Sequence, residues 1–284
     1  MRIANHDGRL TVLVAGRGID VERASGGRFA ADMSTVYGRW DEFRDWWSRQ
    51  SPSALMDFEV DPGLLRAPSP RPAQVFALGL NYAKHVAEGG LGGLPDAPVV
   101  FTKFPTSITG PYAEVILPKG NVDWEIELVA VVGRRTPGPV GVESGWEYVA
   151  GLTVGQDLSE RIMQHRPPAP QFSLGKSFPG FAPLGPVLVT ADEFDNPDDI
   201  ALTCRLNGNT VQRDRTSSMI FAVPEIVAYL SGIVTLLPGD LIFTGTPEGV
   251  GRVRNPPVFI QPGDVLESEI ENIGTIRQTF ATAR

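Results

Sequence analysis

Carboxylates occupy every second position at the start of VDWEIELVAVV, residues 122–132: Asp123, Glu125 and Glu127. A β-strand turns alternate side chains to opposite faces, so these three acids share a face that continues as Val129 and Val131. The other face carries Trp124, Ile126, Leu128, Ala130 and Val132, apolar throughout. Ionised carboxylates adjoining a core are costly unless paired or bound to metal, and neighbouring acids raise each other's pKa. A divalent cation with hard oxygen ligands resolves the conflict; an ion-paired strand end resolves it equally well. Arg134 and Arg135 lie at the far end of the strand and are poorly placed to pair with the acids. The chain holds its own comparison in VLESEIENIG, 265–274, where Glu267, Glu269 and Glu271 alternate without the face turning apolar. That is the pattern of a half-solvated strand.

Asp157, in VAGLTVGQDLSERIMQ (149–164), follows an apolar strand-like run and offers a third oxygen ligand. The alternative is a helix N-cap, with Glu160 three residues on completing a capping box. His85 and Glu88, in NYAKHVAEGG, stand three apart. On a helix that spacing lets a carboxylate hold one imidazole nitrogen while the other takes a proton from water. A plain surface His–Glu contact has the same spacing. Lys176, in SLGKSFPGFAPLGP, sits among glycines, aromatics and prolines, where it either meets an anionic ligand or decorates an exposed turn. FTGTPEGVG (243–251) joins a strand to a Gly-rich turn able to present backbone N–H groups to anions. No Gly-Lys-Ser/Thr follows it, no G-x-G-x-x-G links a strand to a helix, and the G-x-S-x-G elbow is missing, which excludes the common nucleotide and serine-hydrolase motifs.

The elements that must position these residues are short. Glycine (31) and proline (25) are spread along the chain, which predicts many strands joined by tight turns. Residues 1–15 read as a hairpin turning at Asp7-Gly8. A helix is expected after Ser34 as N-cap, with Val36, Trp40, Phe43 and Trp47 on one docking stripe. The proline-rich APSPRPAQ (67–74) reads as a linker, dividing a small N-terminal α/β domain, 1–70, from a larger domain, 71–284. VFALGLNY leads from a strand into a short helix that stops at Gly89-Gly90, and VPEIVAYLSG is a later helix. LLPGDLIFTG and IQPGDVLESE share a Pro-Gly-Asp entry into a strand, as a type II turn provides.

At 284 residues, 42% hydrophobic and 20% charged, the composition is that of a globular protein with a substantial core. The net charge of −8 argues against nucleic acid as a partner. The single Cys204 excludes an intramolecular disulfide framework and reads as a buried, inert thiol. No run has the length of a membrane-spanning helix and the N-terminus lacks signal-peptide features, so a cytoplasmic protein without a membrane partner is expected.

Taken in order, GLNYAKHVAE, PVVFTKFPTSITGP, VDWEIELVAVVGR, YVAGLTVGQDLSER, GKSFPGFAPLGP, LNGNTVQ and LLPGDLIFTGTPEGVG resemble the fumarylacetoacetate hydrolase family, including its acylpyruvate hydrolases and 2-hydroxyhepta-2,4-diene-1,7-dioate isomerases. The likeness covers roughly residues 74–275. It implies a strand-rich α+β fold, the family's mixed β-sandwich roll, behind a small N-terminal domain. It also implies that Glu125, Glu127 and Asp157 hold Mg²⁺ or Mn²⁺, with Ca²⁺ as a substitute in crystals. His85 becomes the general base and Glu88 its orienting partner, with Lys176 as a third catalytic residue beside the substrate. Arg161, Gln164 and Thr246 fall at positions expected to contact substrate oxygens. A homodimer acting on a small anionic 2-oxo acid in aromatic catabolism is the family expectation. Three departures point to a shifted substrate: Gln156 where the family usually has Asn, Ile162 in place of an acid, and the proline-rich QHRPPAPQ. The expected reaction is metal-dependent hydrolysis of a C–C bond in a 2,4-dioxo acid. Decarboxylation of oxaloacetate and isomerisation of an unsaturated 2-oxo diacid are the alternatives on the same site, followed by a non-catalytic ligand-binding homologue.

Overall fold

The structure is a computed structural model and describes residues 1–55, 57–90 and 93–283. Its main sheet is mixed and runs, strand by strand, through Phe58–Glu59, Arg17–Asp20, Arg9–Val14, Arg2–His6, Ala182–Val189, Val149–Gln156, Ile126–Val132, Leu241–Phe243, Val75–Gly79 and Val99–Thr102. A five-stranded sheet runs through Asn209–Arg215, Ala201–Leu206, Val265–Ile270, Gly274–Thr282 and Glu114–Leu117. Most neighbours are antiparallel, but Leu241–Phe243 pairs parallel with Val75–Gly79, and Gly274–Thr282 with Glu114–Leu117. This is the strand-rich α+β architecture, with short helices between the strands. Among the described residues no helix is long and apolar enough to cross a membrane.

The strand Ile126–Val132 is buried along its whole length. Its even-numbered face joins a core shared with the five-stranded sheet, where Leu128 and Ala130 cluster with Leu202, Cys204, Leu266 and Ile276. Its odd-numbered face joins a second core, in which Val129 and Val131 cluster with Phe243, Ala77 and the N-terminal aromatics. The acids therefore lead directly into a core. The expected continuous strand is interrupted, however: Val122–Asp123 pairs with Ser159–Glu160, and the main-sheet strand resumes only at Ile126. Side chains replace the missing ladder partners. Gln156 Oε1 accepts from the Glu125 N–H at 3.0 Å, and Gln212 Oε1 from the Ile126 N–H at 3.0 Å.

The N-terminal hairpin forms as read, pairing Arg2–His6 with Arg9–Val14. Arg2 and Ile3 pair in turn with Val189 and Leu188, which carries the main sheet into the N-terminal domain. The aromatic helix is shorter than expected, Trp40–Trp47, and has no side-chain cap; Asp32, not Ser34, caps a preceding turn, Met33–Thr35. Val36, Trp40 and Phe43 are buried as expected, but Trp46 completes the stripe while Trp47 is only half-buried. The proline-rich stretch after residue 66 is packed: Tyr37 donates to the Pro68 carbonyl at 2.8 Å, and Ser69 to the Gly239 carbonyl at 2.7 Å. Gly239 has φ +90°, the left-handed value that a type II turn demands, and Asp240 closes the turn by accepting from the Leu237 N–H.

Candidate active site

His85 and Glu88 lie on the helix Ala83–Glu88, one turn apart. The helix follows Val75–Gly79 after a sharp reversal held by Asn81, whose amide bonds Phe221 and Thr244 backbone groups. His85 Nδ1 meets Glu88 Oε1 at 2.7 Å, and both side chains are only partly exposed. The other oxygen of Glu88 accepts from the Gly249 N–H at 2.8 Å. With Nδ1 so engaged, the remaining ring nitrogen, Nε2, is the one available for proton transfer.

Glu125, Glu127 and Asp157 come together as buried neighbours, each offering an oxygen within 4.8 Å of the others. Asp157 is not a helix cap. Glu160 caps Arg161–Gln164, accepting from the Ile162 and Met163 N–H groups, which leaves the Asp157 carboxylate to face the two glutamates. Lys176 Nζ bonds Glu125 Oε2 at 2.7 Å and Asp157 Oδ2 at 2.5 Å. Lys103 Nζ bonds the other Asp157 oxygen and the Lys176 carbonyl. Glu127 Oε2 accepts from the Gly245 N–H at 2.7 Å, whereas Glu127 Oε1 is buried without any hydrogen-bond partner.

The charges explain how such a cluster folds. Burial, with Asp157 and Glu125 adding repulsion, pushes Glu127 well above the usual carboxylate range. Burial acts the same way on Glu125, but Lys176, Arg161 and His85 outweigh it and hold that carboxyl below the ordinary range. Burial lowers Lys103, whereas Asp157 and Glu125 overcome burial and raise Lys176. An orphaned buried carboxylate oxygen beside two further carboxylates is the donor set a hard divalent cation takes, so these residues fit one.

Asp123, which has no assignment in the sequence reading, is an anchor. Its Oδ1 accepts from Arg161 Nε at 2.6 Å and its Oδ2 from the Arg252 N–H at 2.7 Å. Arg161 also donates to Glu125 Oε1 at 2.6 Å and to Gln164 Oε1 at 2.8 Å, so Arg161 and Gln164 stand together on the rim of the carboxylate cluster. Thr246 is buried in the wall. Its hydroxyl donates to the Ile126 carbonyl at 2.8 Å and accepts from Gln212. Gln156, at the departure from the family pattern, bonds Ser268 at 2.8 Å besides serving the Glu125 backbone.

Lys103 belongs to the site although its only mark in the sequence is to be the lone charge in the apolar run VVFTKFP. A strand-end lysine reads as exposed, but its side chain turns inward over the Phe243 ring to Asp157 and the Lys176 carbonyl and is buried to 1%.

The family description fumarylacetoacetate (FAA) hydrolase, C-terminal, matches residues 74–281. Human mitochondrial oxaloacetate tautomerase FAHD2A is 44% identical over 212 residues, 74% of this chain and 67% of its own. A Mycobacterium smegmatis protein of HpcE designation is 50% identical, with a TM-score of 0.95 over 100% of both chains. The maleylpyruvate hydrolase of Sphingobium sp. SYK-6, solved with manganese(II) and pyruvate, is 25% identical, with a TM-score of 0.81 over 100% of both.

Proposed function

The chain belongs to the fumarylacetoacetate hydrolase family, and from that premise we propose that it moves a proton between the enol and keto forms of a small 2-oxo acid, oxaloacetate first among them. The observation that carries this reading is a single supported base, His85 held by Glu88, beside the buried Glu125–Glu127–Asp157 cluster. Proton transfer at the carbon next to a 2-oxo group needs one base and compensation for the charge left on the oxygen.

In the proposed reaction His85 Nε2 takes the proton from C3. The electron pair it leaves moves into the C2–C3 bond, and negative charge moves to the 2-oxygen. That oxygen then takes a proton, from water or back from the His85 imidazolium, to give the enol and the neutral imidazole; the reverse sequence returns the keto form. Glu88 keeps the imidazole oriented through Nδ1 and stabilises the imidazolium that forms. Lys176, buried beside the carboxylates, and Arg161 with Gln164 on the rim supply the positive and polar groups that receive an anionic substrate. Mg²⁺ or Mn²⁺ held by Glu125, Glu127 and Asp157 would supply Lewis acidity to the 2-oxo acid oxygens.

Hydrolysis of a C–C bond in a 2,4-dioxo acid is the second reading, supported by the whole-chain likeness to a maleylpyruvate hydrolase that binds manganese and pyruvate. There the same base would take a proton from water instead of carbon. Enol and keto oxaloacetate should equilibrate faster with the protein and Mn²⁺ than with Mn²⁺ alone, without release of CO₂. Cleavage of acetylpyruvate or fumarylpyruvate in place of that acceleration moves the assignment to the hydrolase, and CO₂ release moves it to a decarboxylase. Failure to act on any of these substrates overturns the reading.

A further inference from the structure

The Gly-rich segment 245–254 looks from its sequence like a loop built to bind an external anion. Instead, it spends its backbone donors on the protein's own acids. Gly245 N–H donates to Glu127 at 2.7 Å, Gly249 N–H to Glu88 at 2.8 Å, and Arg252 N–H to Asp123 at 2.7 Å. These three acids belong to three different parts of the site: the carboxylate cluster, the base pair and the arginine anchor. They come from two elements far apart in sequence, the helix Ala83–Glu88 and the stretch 123–127, which share no direct hydrogen bond among the described residues.

We infer that segment 245–254 is the positioning element that sets the His85–Glu88 base against the Glu125–Glu127–Asp157 cluster, through one backbone N–H to each of Glu127, Glu88 and Asp123. The inference rests on the proposed role of His85 as base. Its centre is Gly249. The residue has φ +105°, and a Cβ there would lie 2.2 Å from the Val211 carbonyl oxygen, so the loop path that aims its N–H at Glu88 is open only to glycine. Its carbonyl is held from the other side, by Trp124 Nε1 at 3.2 Å and by Arg254 at 3.0 Å; Arg254 also bonds the Val211 carbonyl at 2.6 Å. Trp124 lies between Asp123 and Glu125 in the chain. The residue that fixes the base is thereby fastened, through its following peptide, to the stretch that carries the carboxylate ligands.

The test is a double-mutant cycle with Glu88→Ala. Arg254→Met removes a fastening without touching the reacting groups, and Gly249→Ala displaces the peptide itself. With oxaloacetate or acetylpyruvate, whichever the wild type turns over, kcat should fall about tenfold in R254M and about 100-fold in G249A, while KM and Mn²⁺ affinity stay within about threefold. In the E88A background neither change should cost more than about twofold further, because the bond through which it acts is gone. Losses that add in full to that of E88A, or Mn²⁺ affinity falling in step with kcat, overturn the inference. A readout independent of turnover keeps it decidable if G249A does not fold or the wild type is inert. R254M should move the ring ¹⁵N resonances of His85 and leave those of His6 in place; unmoved His85 resonances overturn it. An inert wild type that shows the shift removes the proposed reaction and leaves the loop's role standing.

Discussion

A carboxylate as buried as Glu127, with one oxygen bare of any partner, persists in a fold only when a proton or a cation meets it. That requirement separates Glu127 from Asp123, equally buried, whose two oxygens are both bonded by protein donors. It also separates binding from base chemistry at the level of single side chains. His85→Ala should lower kcat by about 10²- to 10⁴-fold, the usual worth of a general base, while isothermal titration finds Mn²⁺ affinity unchanged within about threefold. A matching loss of Mn²⁺ affinity would place His85 among the ligands. Lys103 contributes to stability as well as to charge. Its ammonium, fully buried, bonds Asp157, and Lys103→Met strips that carboxylate of a partner. We expect a loss of about 3 kcal/mol in urea unfolding, the scale for breaking a buried ion pair from one side. A loss under about 1 kcal/mol would mean that Lys176 alone satisfies Asp157.

At the scale of elements, the helix Trp40–Trp47 shows how an apolar stripe and a charged face divide the work. Trp40 and Phe43 are buried against the main sheet, and Trp40 packs so closely on Gly133 that a Cβ there would lie 2.9 Å from its ring. The outer face carries Glu42, which Arg39 and Arg28 both bond. Those two hydrogen-bonded guanidinium groups hold the Glu42 carboxyl down at about 2. Because the folded value lies below the unfolded one, the group's stabilising contribution is complete above the ordinary glutamate range and disappears as pH falls towards the folded value. The melting temperature of Glu42→Gln should therefore lie below that of the wild type at neutral pH. The gap should close as pH falls from ~4.5 towards ~2. A gap that stays constant over that range would show that the pairs with Arg28 and Arg39 contribute nothing to it.

At the scale of the molecule, the cluster joins segments that only the fold brings together, so a ligand to it stabilises the whole chain. Mn²⁺ at about 100 times its Kd should add about 2.7 kcal/mol to unfolding, seen as a rise in melting temperature, and chelation with EDTA should remove it. Glu127→Gln should abolish that rise; an equal rise in the variant would place the cation elsewhere. Much of this organisation was legible in the chain. The change from acid to apolar along one face of residues 123–131 marked a carboxylate site, and the comparison stretch at 267–271 is half-solvated as read; the structure adds that Glu269 bonds Arg205 at 2.8 Å. The i, i+3 spacing of His85 and Glu88 predicted their contact, and the buried Cys204 carries a thiol that burial pushes up to about 12. These features depend on local periodicity and on residue type, which a sequence carries directly. Tertiary structure alone decided the rest. It broke the strand at Trp124 and Glu125, took Asp157 out of its capping alternative, buried Lys103 and tied Asp123 to Arg161. Apart from the capping of Arg161–Gln164 by Glu160, those outcomes depend on partners dozens of residues away, and pairing at that range is fixed by packing and charge balance in the assembled core, not by the pattern of neighbours along the chain.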